Sequence, residues 1–309
     1  MSKVRIVTDS SAHFLDAAFP GKQLVTVVPL TIRFGDHSYQ DGVDMDNERF
    51  FRELSSGAPI PTAAAPSARQ FAATYEEICQ QNSSIVSIHV SSRLSRTYAN
   101  ARAGADEVLG RCKIAIIDSL STSIGLGLLV EAAAKAAEAG ATQEDIVRIV
   151  RGMIPRLYAV FFIETMEFLA KAERIGKAQA VLGAMLGIKP FLTLEDGDLV
   201  PMEKVRTRPQ AIEKLVEFVV EFSNIEHLAI LQSTAVPSDD TRLLLERLAM
   251  EMPGRSWPVL AYRPSLATFV GPNAMGVVVF EGEGEPEGPH VAQSGRLRDE
   301  EPRPRKAKG

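Results

Sequence analysis

Apolar residues fall in short runs separated by polar turns, and the clearest run is Ile85-Val86-Ser87-Ile88-His89-Val90, whose β-branched side chains predict a buried strand. The next stretch, Ser91-Ser92-Arg93-Leu94-Ser95-Arg96-Thr97-Tyr98-Ala99-Asn100, sets small and apolar side chains at helical spacing after Leu94. Together they predict strand, tight turn, helix. The alternation recurs along the first half. Val4 to Val7 predicts a strand that ends in the polar Thr8-Asp9-Ser10-Ser11 before a helix over Ala12 to Phe19. Lys113 to Asp118 predicts another, before an alanine-rich helix through Ala139. Strand followed by helix, repeated, implies a parallel sheet with right-handed crossovers.

Other segments carry turn and cap signals. Val25 to Phe34 reads as one or two strands closed by a hairpin turn at Gly35 to Tyr39, and Pro59 to Ser67 as a proline-bounded loop without regular structure. Asp44 or Asp46 is placed to cap a helix over Asn47 to Ser55, Ser67 one over Ala68 to Gln80, and Thr142 the next, with Asp145 at its third position. Beyond Pro155 the pattern gives a strand at Tyr158 to Ile163 and helices at Met166 to Ala172 and Ala178 to Leu186. Strands at Ile188 to Leu194 and Leu199 to Val205 flank the hairpin turn Glu195-Asp196-Gly197-Asp198. A helix from Pro209 to Phe222, a strand at His227 to Leu231, a helix over Ser238 to Glu251 and strands at Val259 to Tyr262 and Ala274 to Phe280 complete the series. From Glu281 onward glycine, proline and charge replace apolar residues, which predicts a tail that does not fold.

With 309 residues and 45% hydrophobic content the chain has material for two packed domains or one large one, and a net charge of −5 gives no global basic field for nucleic acid. Any anion must be bound locally. The N-terminus lacks the pattern of a signal peptide and no apolar run is long enough to span a bilayer. Cys79 and Cys112 form no CxxC pair, so a reducing, cytoplasmic compartment is expected.

Chemistry is expected where strands end. In an open α/β sheet ligands bind beyond the carboxyl ends of the strands, and a helix start there offers unpaired N–H groups to an anion. Ser95 is either a ligand donor at that point or the cap of its own helix. Asp41, Asp44 and Asp46 lack the glycine and glutamate spacing of a calcium loop, so no metal is assigned to them. Gly125-Leu126-Gly127 is better explained by close helix packing than by a dinucleotide site, and no other cofactor motif is present. There is no G-x-S-x-G elbow, P-loop or H-E-x-x-H. His89 lies within a strand and faces away from Ser95, which favours a core or groove histidine over a catalytic base.

In order along the chain, Thr8-Asp9-Ser10, Tyr39 to Asp44, Pro66-Ser67, Ser91 to Tyr98, Asp118-Ser119 with Gly125-Leu126-Gly127, Arg174-Ile175, Leu186 to Pro190, Lys204 to Thr207 and Gly271-Pro272 resemble the DegV family of bacterial proteins. The resemblance covers about residues 4–280. It implies a two-domain α/β fold, with an N-terminal parallel sheet flanked by helices (1–155), a smaller C-terminal α/β domain (156–281) and a ligand tunnel between them, and it leaves outside it the tail at 282–309 that composition predicts to be disordered. It further implies a non-enzymatic carrier of a long-chain fatty acid such as hexadecanoate, presented to a fatty acid kinase. The carboxylate would be held by Ser95 and by Thr62; aligned without gaps on Pro66 to Phe71 the family's threonine falls on Ala63, so Thr62 takes the role with a one-residue shift of the loop. Ser92, Arg174 and Phe269 are further candidates. Arg96 stands where the family has a small residue, Ala172-Glu173 where it has paired glycines, and Phe269 where it often has histidine. The competing expectation is a hydrolase or transferase acting on an acyl or phosphoryl ester with Ser95 or Asp9 as nucleophile.

Overall fold

The computed structural model describes residues 3–81, 84–172 and 189–283. With elements numbered along the chain, β1 (Arg5–Asp9), β2 (Val25–Val28), β6 (Ile85–His89) and β7 (Ile114–Asp118) form a sheet of order β2-β1-β6-β7 in which every neighbouring pair is parallel. Strand β6 is buried at all positions, as its β-branched run requires. The chain leaves β1 to β2 on one side and returns to β6 on the other, so the order reverses between β1 and β6. Beyond the carboxyl ends of those strands is where an open α/β sheet places a ligand crevice.

A second sheet of order β10-β9-β8-β13-β11-β12 is built from β8 (Leu157–Phe162), β9 (Lys189–Glu195), β10 (Asp198–Val205), β11 (Ile225–Gln232), β12 (Val259–Ala261) and β13 (Met275–Glu281). Period-two alternation divides its residues between two cores. Val160, Phe162, Val277 and Val279 pack with α7 (Arg208–Val220) and α8 (Asp239–Glu251), while Ala159, Phe161, Val278 and Phe280 join the large core shared with the first sheet. Helix α4 (Ser123–Glu138) lies between the sheets, touching β1 and β6 on one side and β8 and β13 on the other. A Cβ on Gly127 would meet the His13 carbonyl oxygen at 2.0 Å, so close packing accounts for this glycine.

A third, antiparallel sheet of order β4-β3-β5 joins β3 (Thr31–Phe34), β4 (His37–Gln40) and β5 (Thr62–Ala64). The segment read as an irregular loop thus contributes a strand, because Thr62 to Ala64 pair with Arg33 to Thr31. Ala12 to Phe19 corrects the sequence reading the other way: no helix forms there. The His13 N–H donates to the Ser123 carbonyl at 3.1 Å and the Leu15 N–H to Glu131 Oε1 at 2.8 Å, so partners on α4 take donors that a helix would use internally. The caps form as read on α1 (Asn47–Ser55), by Asp46, on α2 (Ala68–Cys79), by Ser67 with a capping box to Gln70, and on α5 (Gln143–Met153), by Thr142. Cys79 and Cys112 form a disulfide with Cα atoms 5.5 Å apart, a pairing the sequence did not reveal. Among the described residues no helix is long and apolar enough to cross a membrane. The tail from 284 onward and the helix read over Ala178 to Leu186 lie outside the described residues.

Candidate functional site

The turn after β6 is built by Ser91. Its carbonyl accepts the N–H groups of Leu94 and Ser95, both at 3.0 Å, its hydroxyl accepts the Arg93 N–H at 3.1 Å, and the same hydroxyl donates to the Gly197 carbonyl at 2.6 Å. That last bond ties the first sheet to the β9–β10 hairpin. Gly197 has φ 81° and a Cβ there would stand 2.3 Å from Ser91 Oγ, so the position is closed to other residues by both backbone and space. Helix α3 (Thr97–Glu107) starts two residues after Ser95 and its N-cap, Arg96, makes no side-chain cap bond. Ser95 instead accepts the Thr97 N–H at 3.3 Å and shares a 2.8 Å hydroxyl bond with the buried Thr97 Oγ1. Ser95 orders the turn without being the N-cap.

This turn forms one wall of a cavity of about 420 Å³. Leu94, Ser95, Arg96 and Asn100 line it from the β6–α3 side, and Thr62, Ala63, Ala64 and Ala65 from β5 and the residue after it. Ser11 and Leu30 follow β1 and β2, Thr122 opens α4, and Ser265 and Phe269 come from α9 (Pro264–Val270), a short helix that sequence reading did not foresee. Lys171 and Ala172, at the end of α6 (Glu167–Lys171), complete the wall. The Asn100 amide donates to the Pro66 carbonyl at 2.7 Å and so fixes α3 against the chain leaving β5. The structure therefore brings Thr62, Ser95 and Phe269 around one space. Ala63, the residue that aligns without a gap, lines it as well.

Ser92 lies apart from this cavity. Its side chain is exposed and absent from the cavity wall, and its N–H is held by Asp118 Oδ1 at 3.1 Å. Arg174 lies outside the described residues. Among the described residues that line the cavity, Arg96 and Lys171 are cations and none is a carboxylate. Serine and threonine hydroxyls, an amide and two cations facing alanine, leucine and valine suit one kind of ligand: an anionic head on an apolar body.

Beneath the floor runs a hydrogen-bonded chain with no access to the cavity. Tyr75 Oη lies 2.8 Å from Ser87 Oγ, Ser87 Oγ 2.7 Å from His89 Nε2, and His89 Nδ1 3.0 Å from Asp9 Oδ2. Asp9 also accepts the Val90 N–H at 3.0 Å, the Ser11 N–H at 3.1 Å and the Ser11 hydroxyl. Burial pushes the Tyr75 phenol well above its ordinary range, partly offset by its bond to Ser87. Serine, histidine and aspartate stand here in the order of a hydrolase triad, yet Ser87, His89 and Asp9 have no exposed surface, so no substrate reaches them. The geometry makes this a brace: it fixes Ser11 at the cavity wall and the chain leaving β6. Asp9 is buried with them, its carboxylate held by His89, Val90 and Ser11. Among the described residues no cluster of His, Cys, Asp and Glu is arranged to hold a metal.

Ser11, Thr122, Lys171 and Ser265 were missed as wall residues. Ser11 carries a usable signal, since it ends the hydroxyl-rich turn after β1. Ser265 carries none, because α9 is too short for its periodicity to register.

The sequence profile of a family described as "Uncharacterised protein, DegV family" matches residues 3–282. A DegV domain-containing protein of Streptomyces coelicolor is 33% identical over 278 residues, covering 89% of this chain and 98% of its own length. Among solved structures, a DegV family protein from Thermus thermophilus described as fatty acid binding is 27% identical, with a TM-score of 0.78 over 91% of this chain and all of its own. A fatty acid binding DegV family protein from Streptococcus agalactiae, 22% identical with a TM-score of 0.82 over 92% of this chain and 100% of its own, shares the fold.

Proposed function

This chain belongs to the DegV family, and from that membership we propose that it binds a long-chain fatty acid, with the carboxylate at Ser95 and Thr62 and the acyl chain along the apolar walls between the two sheets. One observation carries the reading: the cavity at the strand switch point is lined by hydroxyls and by Arg96 and Lys171, with no carboxylate among the described wall residues. The Thermus relative, described as fatty acid binding, supports the choice of ligand class.

The energetics divide between tail and head. Burying roughly fourteen methylenes at about 0.8 kcal/mol each offers on the order of 11 kcal/mol gross. A hydrogen bond to the charged head adds about 1.5 to 3 kcal/mol. The tail supplies affinity and the hydroxyls supply orientation. Presentation of the bound acid to a fatty acid kinase belongs to the same reading. Phe269 stands at the cavity wall where many relatives are expected to carry histidine, so phosphorylation is weaker here than with histidine at that position.

The protein acts as a carrier and not as an enzyme. Ser95 has Thr97 as its bonded neighbour, and His89 is committed to Ser87 and Asp9, so no base faces Ser95 from that histidine. Titrating delipidated protein with hexadecanoate and assaying turnover of activated acyl and phosphoryl esters tests this. Saturable one-to-one binding without turnover is expected; ester turnover lost in Ser95→Ala would replace the carrier with a hydrolase or transferase.

A further inference from the structure

The stretch of cavity wall that carries Ser95 is held from the second sheet. Strands β9 and β10 close on the pair Glu195 and Asp198 through a two-residue turn, Asp196-Gly197, in which both φ values are positive. Glu195 and Asp196 are exposed, but Gly197 is buried against the turns that follow β6 and β7 in the first sheet. A Cβ there would meet Leu120 Cα and Cδ2 at 3.1 Å as well as Ser91 Oγ. Leu120 itself has φ 49°, a conformation that a bulky side chain rarely adopts and keeps only where its surroundings fix it. Two things fix it: its N–H donates to Asp118 Oδ1 at 3.1 Å, and the hairpin tip packs against it.

Ser91 is where this contact meets the ligand site. Its hydroxyl donates to the Gly197 carbonyl, and its own carbonyl accepts the N–H groups of Leu94 and Ser95. Its N–H donates to the Ser121 carbonyl at 2.8 Å, one residue before Thr122. Ser95 and Thr122 both line the cavity. One buried residue therefore anchors two segments of the wall, and it is itself anchored by a carbonyl 106 residues away in the sequence.

Resting on the head-group reading above, we propose that Ser91 and Gly197 are positioning residues: docking of the β9–β10 hairpin on the first sheet holds the Ser95 hydroxyl in place for the carboxylate. Coupling of this kind is reciprocal, so the bound carboxylate tightens the docking of the hairpin by the same factor. Neither residue touches the ligand; both act through Ser95.

The test is a double-mutant cycle, read by titrating delipidated full-length protein with hexadecanoate. Gly197→Ala sets a methyl against Ser91 in a backbone conformation that alanine disfavours, and Ser91→Ala removes the donor without a clash. Each should weaken binding about 3- to 10-fold, a fraction of the loss in Ser95→Ala. In the Ser95→Ala background the same substitutions should change the dissociation constant by less than about 2-fold, because their effect passes through Ser95. A tie that is merely structural would lower the thermal midpoint in both backgrounds and either leave affinity unaltered or reduce it by one factor in both; either result overturns the inference. If neither variant folds, amide hydrogen exchange in the wild type decides. Exchange over Leu194 to Leu199 should slow when hexadecanoate is added, and unaltered exchange overturns the coupling. If hexadecanoate does not bind, or binds Ser95→Ala as tightly as the wild type, the head-group reading itself fails; if Ser95→Ala weakens binding and the cycle is additive, only this inference does.

Discussion

Replacing Ser95 with alanine separates head-group binding from local folding. Ser95 Oγ lies 2.8 Å from Thr97 Oγ1 and accepts the Thr97 N–H at 3.3 Å. Either hydroxyl can donate in that pair; when Thr97 donates, the Ser95 proton is free for a ligand carboxylate. Losing that charged hydrogen bond should weaken fatty-acid binding by about 1.5 to 3 kcal/mol, or roughly 10- to 150-fold. Binding should persist, because the methylene contribution is untouched. Losing the turn bonds should lower folding stability by about 1 kcal/mol. Thr97→Val keeps the volume and removes the orienting donor, so it should weaken binding by a smaller factor, about 2- to 10-fold. Titration and thermal melting on the same preparations read both quantities. A destabilised Ser95→Ala protein with unaltered affinity would show that the hydroxyl serves the turn alone and would refute the head-group assignment.

Thr62→Val should also weaken fatty-acid binding, by a similar factor, while Ala63→Thr tests the neighbouring register; unaltered affinity in Thr62→Val moves the second hydroxyl elsewhere. Phe269→His should raise acyl-phosphate formation by a purified fatty acid kinase, and an equal rate in both proteins removes Phe269 from the account. Burial raises the Asp41 carboxyl to about 6, against opposing effects of Arg263, Ser10 and Ser265. Because that value exceeds the unfolded one, Asp41 favours the fold below about pH 4 and opposes it increasingly as pH rises through 6, by at most about 3 kcal/mol. His13, lowered to about 4 mainly by burial, acts oppositely across the same range, so the informative quantity is Asp41→Asn minus wild type, which should become more stabilising between pH 4 and 7. A flat difference contradicts the assignment. Reducing the Cys79–Cys112 disulfide, which spans 33 residues, should cost on the order of 4 kcal/mol, and an unchanged midpoint under reductant would show that the bond contributes nothing.

Local signals were readable in the sequence wherever one segment determines its own structure. The β6 strand and following turn, the Ser67 capping box and the Asp196-Gly197 hairpin, with φ values of 48° and 81°, all follow from residues adjacent in the chain. Features that depend on distant partners were not readable. Ala12 to Phe19 has helical composition but gives its donors to α4, and β5 exists because β3 offers an edge. The disulfide joins the end of α2 to the lead-in of β7, a proximity set by the packing of α2 on α3. For the site, the motif order pointed to Ser95, Thr62 and Phe269. Ser265 and Lys171 reach the same cavity only through the packing of α9 against α6 and against β5 of the third sheet.

The most direct test of the central claim is native mass spectrometry of the protein as purified from a bacterial host without added lipid. The account predicts a folded species heavier than the polypeptide by the mass of one long-chain fatty acid, released on denaturation and recovered in the organic extract. A folded protein at the bare polypeptide mass that also fails to take up hexadecanoate when it is supplied would contradict the account.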